Sequence, residues 1–242
     1  MHLDNYHEYQ SFIYPLMPSE ELSPTLLETL LETFSLELAS EIKYPYYSFT
    51  ENILSLHSNP DLNFTSAKNM KPLSFDFRKE WDSLRPFSKK DPLIKALGNQ
   101  RDLVLDATCG TGKDTLSFLK LGLKVISYER SPLLAPLLWD AQRRAPELEL
   151  DIRFEDARNC HERPDVIFLD PMFPPKKKKA LPKKEMVMFS HLIGKDEDQE
   201  ELLKWALKTA KKRVVVKRPL WADSSPTISY KGTRVKYDTY IV

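Results

Sequence analysis

The sequence predicts an α/β chain built on a mostly parallel, doubly wound sheet, and three stretches carry that prediction. Leu103-Val104-Leu105 runs into Asp106 and a turn holding Gly110 and Gly112, followed by the helical spacing Leu116, Phe118, Leu119 and Leu121. After Gly122, residues 124–128 read as a second strand ending at Glu129, 23 residues beyond Asp106. Residues 165–169 form a third buried run that ends in Asp170-Pro171-Met172-Phe173-Pro174. Short apolar runs that stop at an acid and feed a helical pattern are parallel strands covered on both faces.

Taken in order, residues 1–75 read as a small accessory region and residues 76–242 as the domain that holds the sheet. Ser23-Pro24-Thr25 precedes Leu26, Leu27, Leu30, Leu31, Phe34 and Leu38, the pattern of a capped amphipathic helix with proline at its first position. The aromatic cluster at 44–49 is strand or surface, and is expected to pack a small domain against the core. Residues 73–77 alternate as a short strand. Residues 91–98 form a helix that starts at Pro92 and closes on Gly98. Ser131-Pro132 caps a helix that ends near Pro146, and residues 152–157 read as a third strand ending at Asp156. Leu202, Leu203, Ala206, Leu207 and Ala210 mark a late helical face. Residues 213–219 and 235–242 are further strands, with a loop or hairpin over 224–231.

Composition narrows the class. With 41% hydrophobic and 29% charged residues the chain is that of an ordinary globular protein. No apolar run approaches the roughly 20 residues that span a bilayer, and the first residues lack the basic-then-apolar pattern of a secretory signal, so a cytoplasmic location without membrane association is expected. Cys109 and Cys160 make neither a metal spacing nor a disulfide framework, and no metal is expected. The net charge of +1 conceals an asymmetry: residues 1–60 carry nine acids against Lys43 alone, whereas residues 171–220 carry fourteen Lys or Arg against six acids. A basic half suits a polyanionic partner, although a solvated surface is the plainer reading of any charge run by itself.

Three glycine-loop chemistries compete for residues 106–115. A Walker loop would put its first glycine on Ala107 and its hydroxyl on Asp114, so that pattern fails. A dinucleotide fingerprint fits Gly110 and Gly112 but finds Thr115 where its third glycine belongs. The third places an acid at the strand end, able to accept from a cationic amino group, with small residues curling beneath an amino-acid moiety. Asp106-Ala107-Thr108-Cys109-Gly110-Thr111-Gly112 resembles the first motif of the class I S-adenosylmethionine (SAM) methyltransferases. Glu129 at the next strand end can accept both hydroxyls of a ribose, and Asp156 at the third can face an adenine.

In a doubly wound sheet the first and fourth strands are neighbours, so the Asp106 and Asp170 loops are expected to line one crevice. Asp170-Pro171-Met172-Phe173 resembles the (Asn/Asp)-Pro-Pro-aromatic loop of methyltransferases acting on exocyclic amines of bases, with Met172 in place of the second proline. Such a nitrogen is a poor nucleophile because its lone pair is delocalised into the ring. Hydrogen bonds accepted by Asp170 and a prolyl carbonyl would hold it for in-line attack, and Phe173 offers a face for an extruded base. Lys176, Lys177, Lys178, Lys179, Lys183 and Lys184 follow at once, where a polynucleotide backbone would pass. Cys160-His161 has no identifiable acid partner and reads as a surface pair.

On these segments, with Glu129-Arg130-Ser131-Pro132, Lys183-Lys184-Glu185-Met186, Phe189, Gly194, the run 212–219, Lys231-Gly232 and Tyr237-Asp238, the chain resembles the RsmJ family, SAM-dependent guanine-N2 methyltransferases of small-subunit ribosomal RNA. The resemblance covers roughly residues 91–242; Arg85 to Lys90 lacks the arginine- and glycine-rich stretch the family tends to carry there. It implies a Rossmann-like, mostly parallel seven-stranded sheet with an antiparallel last strand, beside a small N-terminal α+β domain. It also implies SAM contacts at Lys113-Asp114, Glu129-Arg130, Asp156-Ala157 and Asp170, besides Asp106, Gly110 and Gly112 of the loop. Asp170, Pro171 and Phe173 would carry the chemistry, and Lys217 and Arg218 would join the lysines on RNA. The expected product is S-adenosylhomocysteine, the expected partner the small ribosomal subunit, with no obligate protein partner. Two other functions stay open on the residues alone: methylation of another amine (adenine N6 or a glutamine side chain), and an RNA-binding assembly factor that kept the fold.

Overall fold

The computed structural model describes residues 14–34, 36–41, 45–57, 71–99, 101–173 and 198–242. Among them the chain divides into two compact units, one of residues 14–76 with Ser131–Ala145, the other of Phe77–Arg130 with 146–173 and 198–242.

In the first unit, β1 (Tyr14–Leu16) lies between β2 (Leu36–Leu38) and β3 (Tyr46–Thr50), parallel to both, and β3 pairs antiparallel with β4 (Ile53–His57). Residues 46–49 of the aromatic cluster lie in a strand that alternates, with Tyr47 and Phe49 buried and Tyr46 and Ser48 half-buried, while Tyr44 lies outside the described residues. Its hairpin turns on Glu51 and Asn52, both in the left-handed region (φ 52° and 62°), as a two-residue turn with native strand twist requires. Helix α1 (Pro24–Thr33) begins as expected, the Ser23 hydroxyl accepting the Leu26 N–H at 3.3 Å ahead of Pro24. Residues 73–77 do not form a strand: Leu73 makes a single bridge to Leu56 and Phe77 opens a helix. One backbone bridge without a continuing ladder loses to helix formation as soon as Phe77 can be buried.

The second unit has the expected sheet. Its strands are β5 (Leu103–Asp106), β6 (Lys124–Tyr128), β7 (Ile152–Arg153), β8 (Val166–Leu169), β9 (Arg213–Pro219), β10 (Ile228–Lys231) and β11 (Val235–Ile241). They lie in the order β10-β11-β9-β8-β5-β6-β7, with β5 to β9 parallel and β11, the last in the chain, antiparallel to both its neighbours. Residues 228–231 thus form a full strand of a hairpin, while the 152–157 stretch keeps only two strand residues before a short helical turn at Ala157–Asn159.

Alternation splits the strand residues between two cores. Leu105, Ile126, Ile167, Leu169, Val214 and Val216 meet Leu202 and Ala206 of α6 (Gln199–Thr209) on one face. Val104, Val125, Val166, Phe168 and Val215 meet Leu93, Ala96 and Leu97 of α3 (Pro92–Leu97) and Phe118 of α4 (Lys113–Lys120) on the other. The other α-helices among the described residues are α2 (Phe77–Ser83) and, in the first unit, α5 (Ala135–Arg143). Each fully buried Leu, Ile or Phe contributes roughly 1.5–3 kcal/mol, so this two-faced core fixes β5 beside β8. Asp165 sets their register, accepting the Asp102 and Leu103 N–H groups at 2.8 and 3.2 Å. Among the described residues no helix is long and apolar enough to cross a membrane.

Candidate active site

Reversal of strand order between β5 and β8 opens a crevice at their carboxyl ends, and the loops that leave those ends touch. The Asp170 N–H donates to the Thr108 hydroxyl at 2.6 Å, and the Ala107 N–H to the Phe168 carbonyl at 3.0 Å. The Asp106 and Asp170 loops are thus in contact, as the adjacency of their strands predicts.

Asp106 itself is fully buried. Its Oδ1 accepts the Thr108 N–H at 3.2 Å and its Oδ2 the Thr115 hydroxyl at 2.7 Å, so it ties the glycine loop to the first turn of α4. Burial first, then the charges of Asp114 and Asp170, push its pKa up to about 7 against those hydrogen bonds. An acid whose folded pKa lies above its unfolded value stabilises the fold most at low pH and loses that contribution as pH rises between the two. Asp106→Asn is therefore expected to cost less near pH 8 than near pH 5, the two differing by at most about 3 kcal/mol. Urea unfolding at both pH values measures it; an equal cost at both would mean that the folded carboxylate is already ionised at pH 5.

Gly110 and Gly112 have φ of 57° and 77°, and Gly112 opens α4 in a left-handed conformation that a side chain resists. A Cβ built on Gly110 would meet nothing nearer than the Thr108 carbonyl, at 3.8 Å, so the loop presents bare backbone there. The Gly110 N–H donates to Glu129 Oε2 at 2.7 Å, which joins the ends of β5 and β6. Lys113 is exposed and ion-pairs with Glu80 at 3.3 Å.

Beyond β6 and β7 lies a network of four charges. Arg130 donates to both carboxylate oxygens of Asp198 at 2.7 and 2.8 Å and lies 3.5 Å from Asp156. Asp156 caps the helical turn that contains buried Ala157 and pairs with Arg158 at 2.6 Å, while Arg158 reaches Asp198 at 3.1 Å. Burial acts to raise the pKa of Asp156, but the Arg158 hydrogen bonds and the Arg130 charge hold it below the usual carboxylate value.

Asp170 is half-buried, with Pro171 buried behind it. Lys217 Nζ donates to Asp170 Oδ2 at 2.8 Å and to Asp114 Oδ2 at 2.7 Å. Burial alone would lower the Lys217 pKa, yet the two acids raise it above its ordinary value, so the ammonium persists. Tyr237, opposite Lys217 on β11, is pushed up to about 12 by burial and then by Asp114. The Met172 carbonyl accepts from Gln199 Nε2 at 3.0 Å, and the Arg218 guanidinium lies 5.3 Å from the Phe173 ring centre. Lys217 and Arg218, expected on RNA, are thus engaged with the 170–173 loop. Pro174 and Lys176, Lys177, Lys178, Lys179, Lys183 and Lys184 lie outside the described residues. His161 is exposed, and burial raises the Cys160 thiol pKa, which disfavours a nucleophilic thiolate.

The sequence gives no role to Thr108, Thr115, Asp198, Gln199 or Tyr237, although Thr108 and Thr115 stand in the glycine-loop stretch and Tyr237 in the Tyr237-Asp238 pair. Thr108 meets Asp170 62 residues on and Asp198 meets Arg130 68 residues back, separations that no local pattern marks.

A family profile described as "Putative SAM-dependent methyltransferase" matches residues 36–242. A protein of Pseudoalteromonas translucida named ribosomal RNA small subunit methyltransferase J is 39% identical over 173 residues, 63% of this chain and 69% of that one. A Coxiella burnetii protein of the same name is 33% identical over 231 residues, 85% of this chain and 91% of that one. The crystal structure of a SAM-dependent methyltransferase from Neisseria gonorrhoeae superposes with a TM-score of 0.71 at 28% identity, covering 94% of this chain and 95% of that one.

Proposed function

Because the chain belongs to the SAM-dependent methyltransferase family that includes the proteins named ribosomal RNA small subunit methyltransferase J, we propose that it methylates the exocyclic N2 amine of a guanine in small-subunit ribosomal RNA. The observation that carries this reading is the contact of the Asp170 loop with the glycine loop at the Thr108 hydroxyl, which brings an amine-orienting acid beside a bare backbone cradle.

The residues suit the methyl donor. The open backbone at Gly110 leaves space for an amino-acid moiety, and Gly112 with Asp114 borders it at the start of α4. Glu129, at the end of β6, is the acceptor for a ribose, and the Asp156-Ala157 turn flanks the adenine side, with Arg130 keeping Asp156 charged. When bound, SAM supplies a methyl group made electrophilic by its sulfonium. Asp106 braces the loop from beneath. Asp170 accepts an N–H of the guanine amine and so aims its lone pair and offsets the positive charge that grows on nitrogen. Phe173 takes the base on its face. Nitrogen–carbon bond formation and carbon–sulfur cleavage leave a protonated amine, which releases its extra proton to solvent, so no dedicated base is required. The lysines from 176 to 184 carry the phosphate contacts in this reading, residues 76–242 the chemistry and residues 1–75 an accessory role, all in the cytoplasm where ribosomal subunits are found.

Incubation with methyl-labelled SAM and unmodified small ribosomal subunits, followed by nucleoside digestion, is expected to yield labelled N2-methylguanosine. Label on adenosine or on protein would replace the substrate; tight RNA binding without any transfer would replace the enzyme by a binder.

A further inference from the structure

We infer that Lys217 and Arg218 are positioning residues that clamp the 170–173 loop from opposite faces of the sheet, one fixing its acid and the other its aromatic ring, rather than phosphate ligands; the inference rests on the amine-methylation reading above.

Consecutive strand residues project to opposite faces. On β9, Val214 and Val216 enter one core and Val215 the other, so Lys217 continues the face of Val215 and Arg218 that of Val216. On the first face Lys217 Nζ bridges Asp114 and Asp170 at 2.7 and 2.8 Å. Two carboxylates share one ammonium there, a net negative cluster that disfavours an incoming phosphate. Without the lysine those two acids would face each other as like charges. The raised pKa of Lys217 is consistent with a permanent bridge.

On the second face the Arg218 guanidinium lies 5.3 Å from the Phe173 ring centre, within the range of a cation–π contact. Behind it lies Asp238, whose Oδ2 is 3.3 Å from Arg218 Nε, an ion pair without a hydrogen bond at that nitrogen. Asp238 is fully buried; it accepts the Ser224 and Ser229 hydroxyls at 2.6 and 2.7 Å and pairs with Lys236 at 3.3 Å. A buried acid with this many partners fixes a guanidinium far better than a solvated one. The platform offered to the base is thus backed by a held cation, and the acid offered to the amine by another.

The test compares Lys217→Met, Lys217→Arg and Arg218→Met with the parent in three measurements. Lys217→Met is expected to lower kcat about 10²-fold, as a displacement near 1 Å at the reacting centre does, with KM for small subunits unchanged; Lys217→Arg restores most of kcat. The slope of log affinity for RNA against log salt should stay at the parent value in all three. A slope smaller by about one with kcat retained would make the residue a phosphate ligand and overturn the clamp. Hydrogen exchange of the Asp170, Met172 and Phe173 amides should quicken in Lys217→Met and Arg218→Met while β5 and β6 keep parent rates. Unchanged loop exchange overturns the clamp whether or not the parent transfers methyl groups, whereas a parent that transfers none overturns the reading of function instead. Arg218→Met acts on the opposite face and decides the matter should Lys217→Met not fold.

Discussion

Replacing Asp170 with alanine is expected to lower methyl transfer by about 10²–10³-fold, the loss typical of removing one preorganised group that meets developing charge. The substitution removes the acceptor for the amine and, with it, the Lys217 bridge to the loop. The loop's tie to Thr108 runs through the Asp170 backbone N–H and survives in the variant, and Lys217 keeps Asp114 as a partner. A ring-conjugated nitrogen then has nothing to direct its lone pair, and the positive charge that forms on it goes uncompensated. Asp170→Asn keeps one carbonyl acceptor without the charge and should fall between the two. Single-turnover transfer from labelled SAM to small subunits reads the effect, and RNA affinity should stay within a few-fold of the parent. Transfer by Asp170→Ala at the parent rate would remove this residue from the chemistry.

Asp140→Ala should destabilise the first unit by about 3–5 kcal/mol, the cost of stripping the partner from buried charge. Asp140 sits fully buried on α5, pairs with Arg143 at 2.7 Å and Arg144 at 3.0 Å, and accepts the Leu54 N–H of β4 at 3.1 Å. The two arginines in turn hold backbone. Arg143 donates to the Asn52 carbonyl and side chain at 3.0 Å, on the left-handed hairpin turn, and Arg144 donates to the Phe75 carbonyl. One carboxylate therefore neutralises two guanidinium groups that pin a hairpin and the segment after it. Removing it leaves a strand amide without its acceptor and two half-buried cations without a counter-charge. Asp140→Asn retains the amide contact and should cost less. Urea unfolding followed by circular dichroism gives the difference, and a cost under about 1 kcal/mol for the alanine variant would show that the hub is dispensable.

Much of the second unit was legible because its signals are local. Val104, Leu105, Val125, Ile126, Val166, Ile167 and Phe168 read as buried strands since a parallel strand covered on both faces has no polar side to show. Asp91, Pro92 and Gly98 announced α3 through the groups a helix end must satisfy. The 73–77 stretch misled because alternation over five residues does not reveal whether a partner ladder continues. Ile228–Lys231 was left between loop and hairpin because it is largely exposed, and its pairing with β11 replaces the apolar signal that a core strand carries.

The candidate site divides along the same line. Taken alone, the sequence determined that acids end four strand-like runs, that glycines follow the first, and that an Asp-Pro-Met-Phe loop follows the last, because each is a property of adjacent residues. Only the tertiary structure decided where those acids point: Asp106 beneath the loop, Glu129 onto the Gly110 amide, Asp170 onto Lys217. It also decided that Lys217 and Arg218, neighbours in a basic run, serve opposite faces of one sheet. The direction of a strand side chain depends on register and on which strand lies beside it. That information resides in hydrogen bonds and buried area between segments up to a hundred residues apart, where no local pattern can carry it.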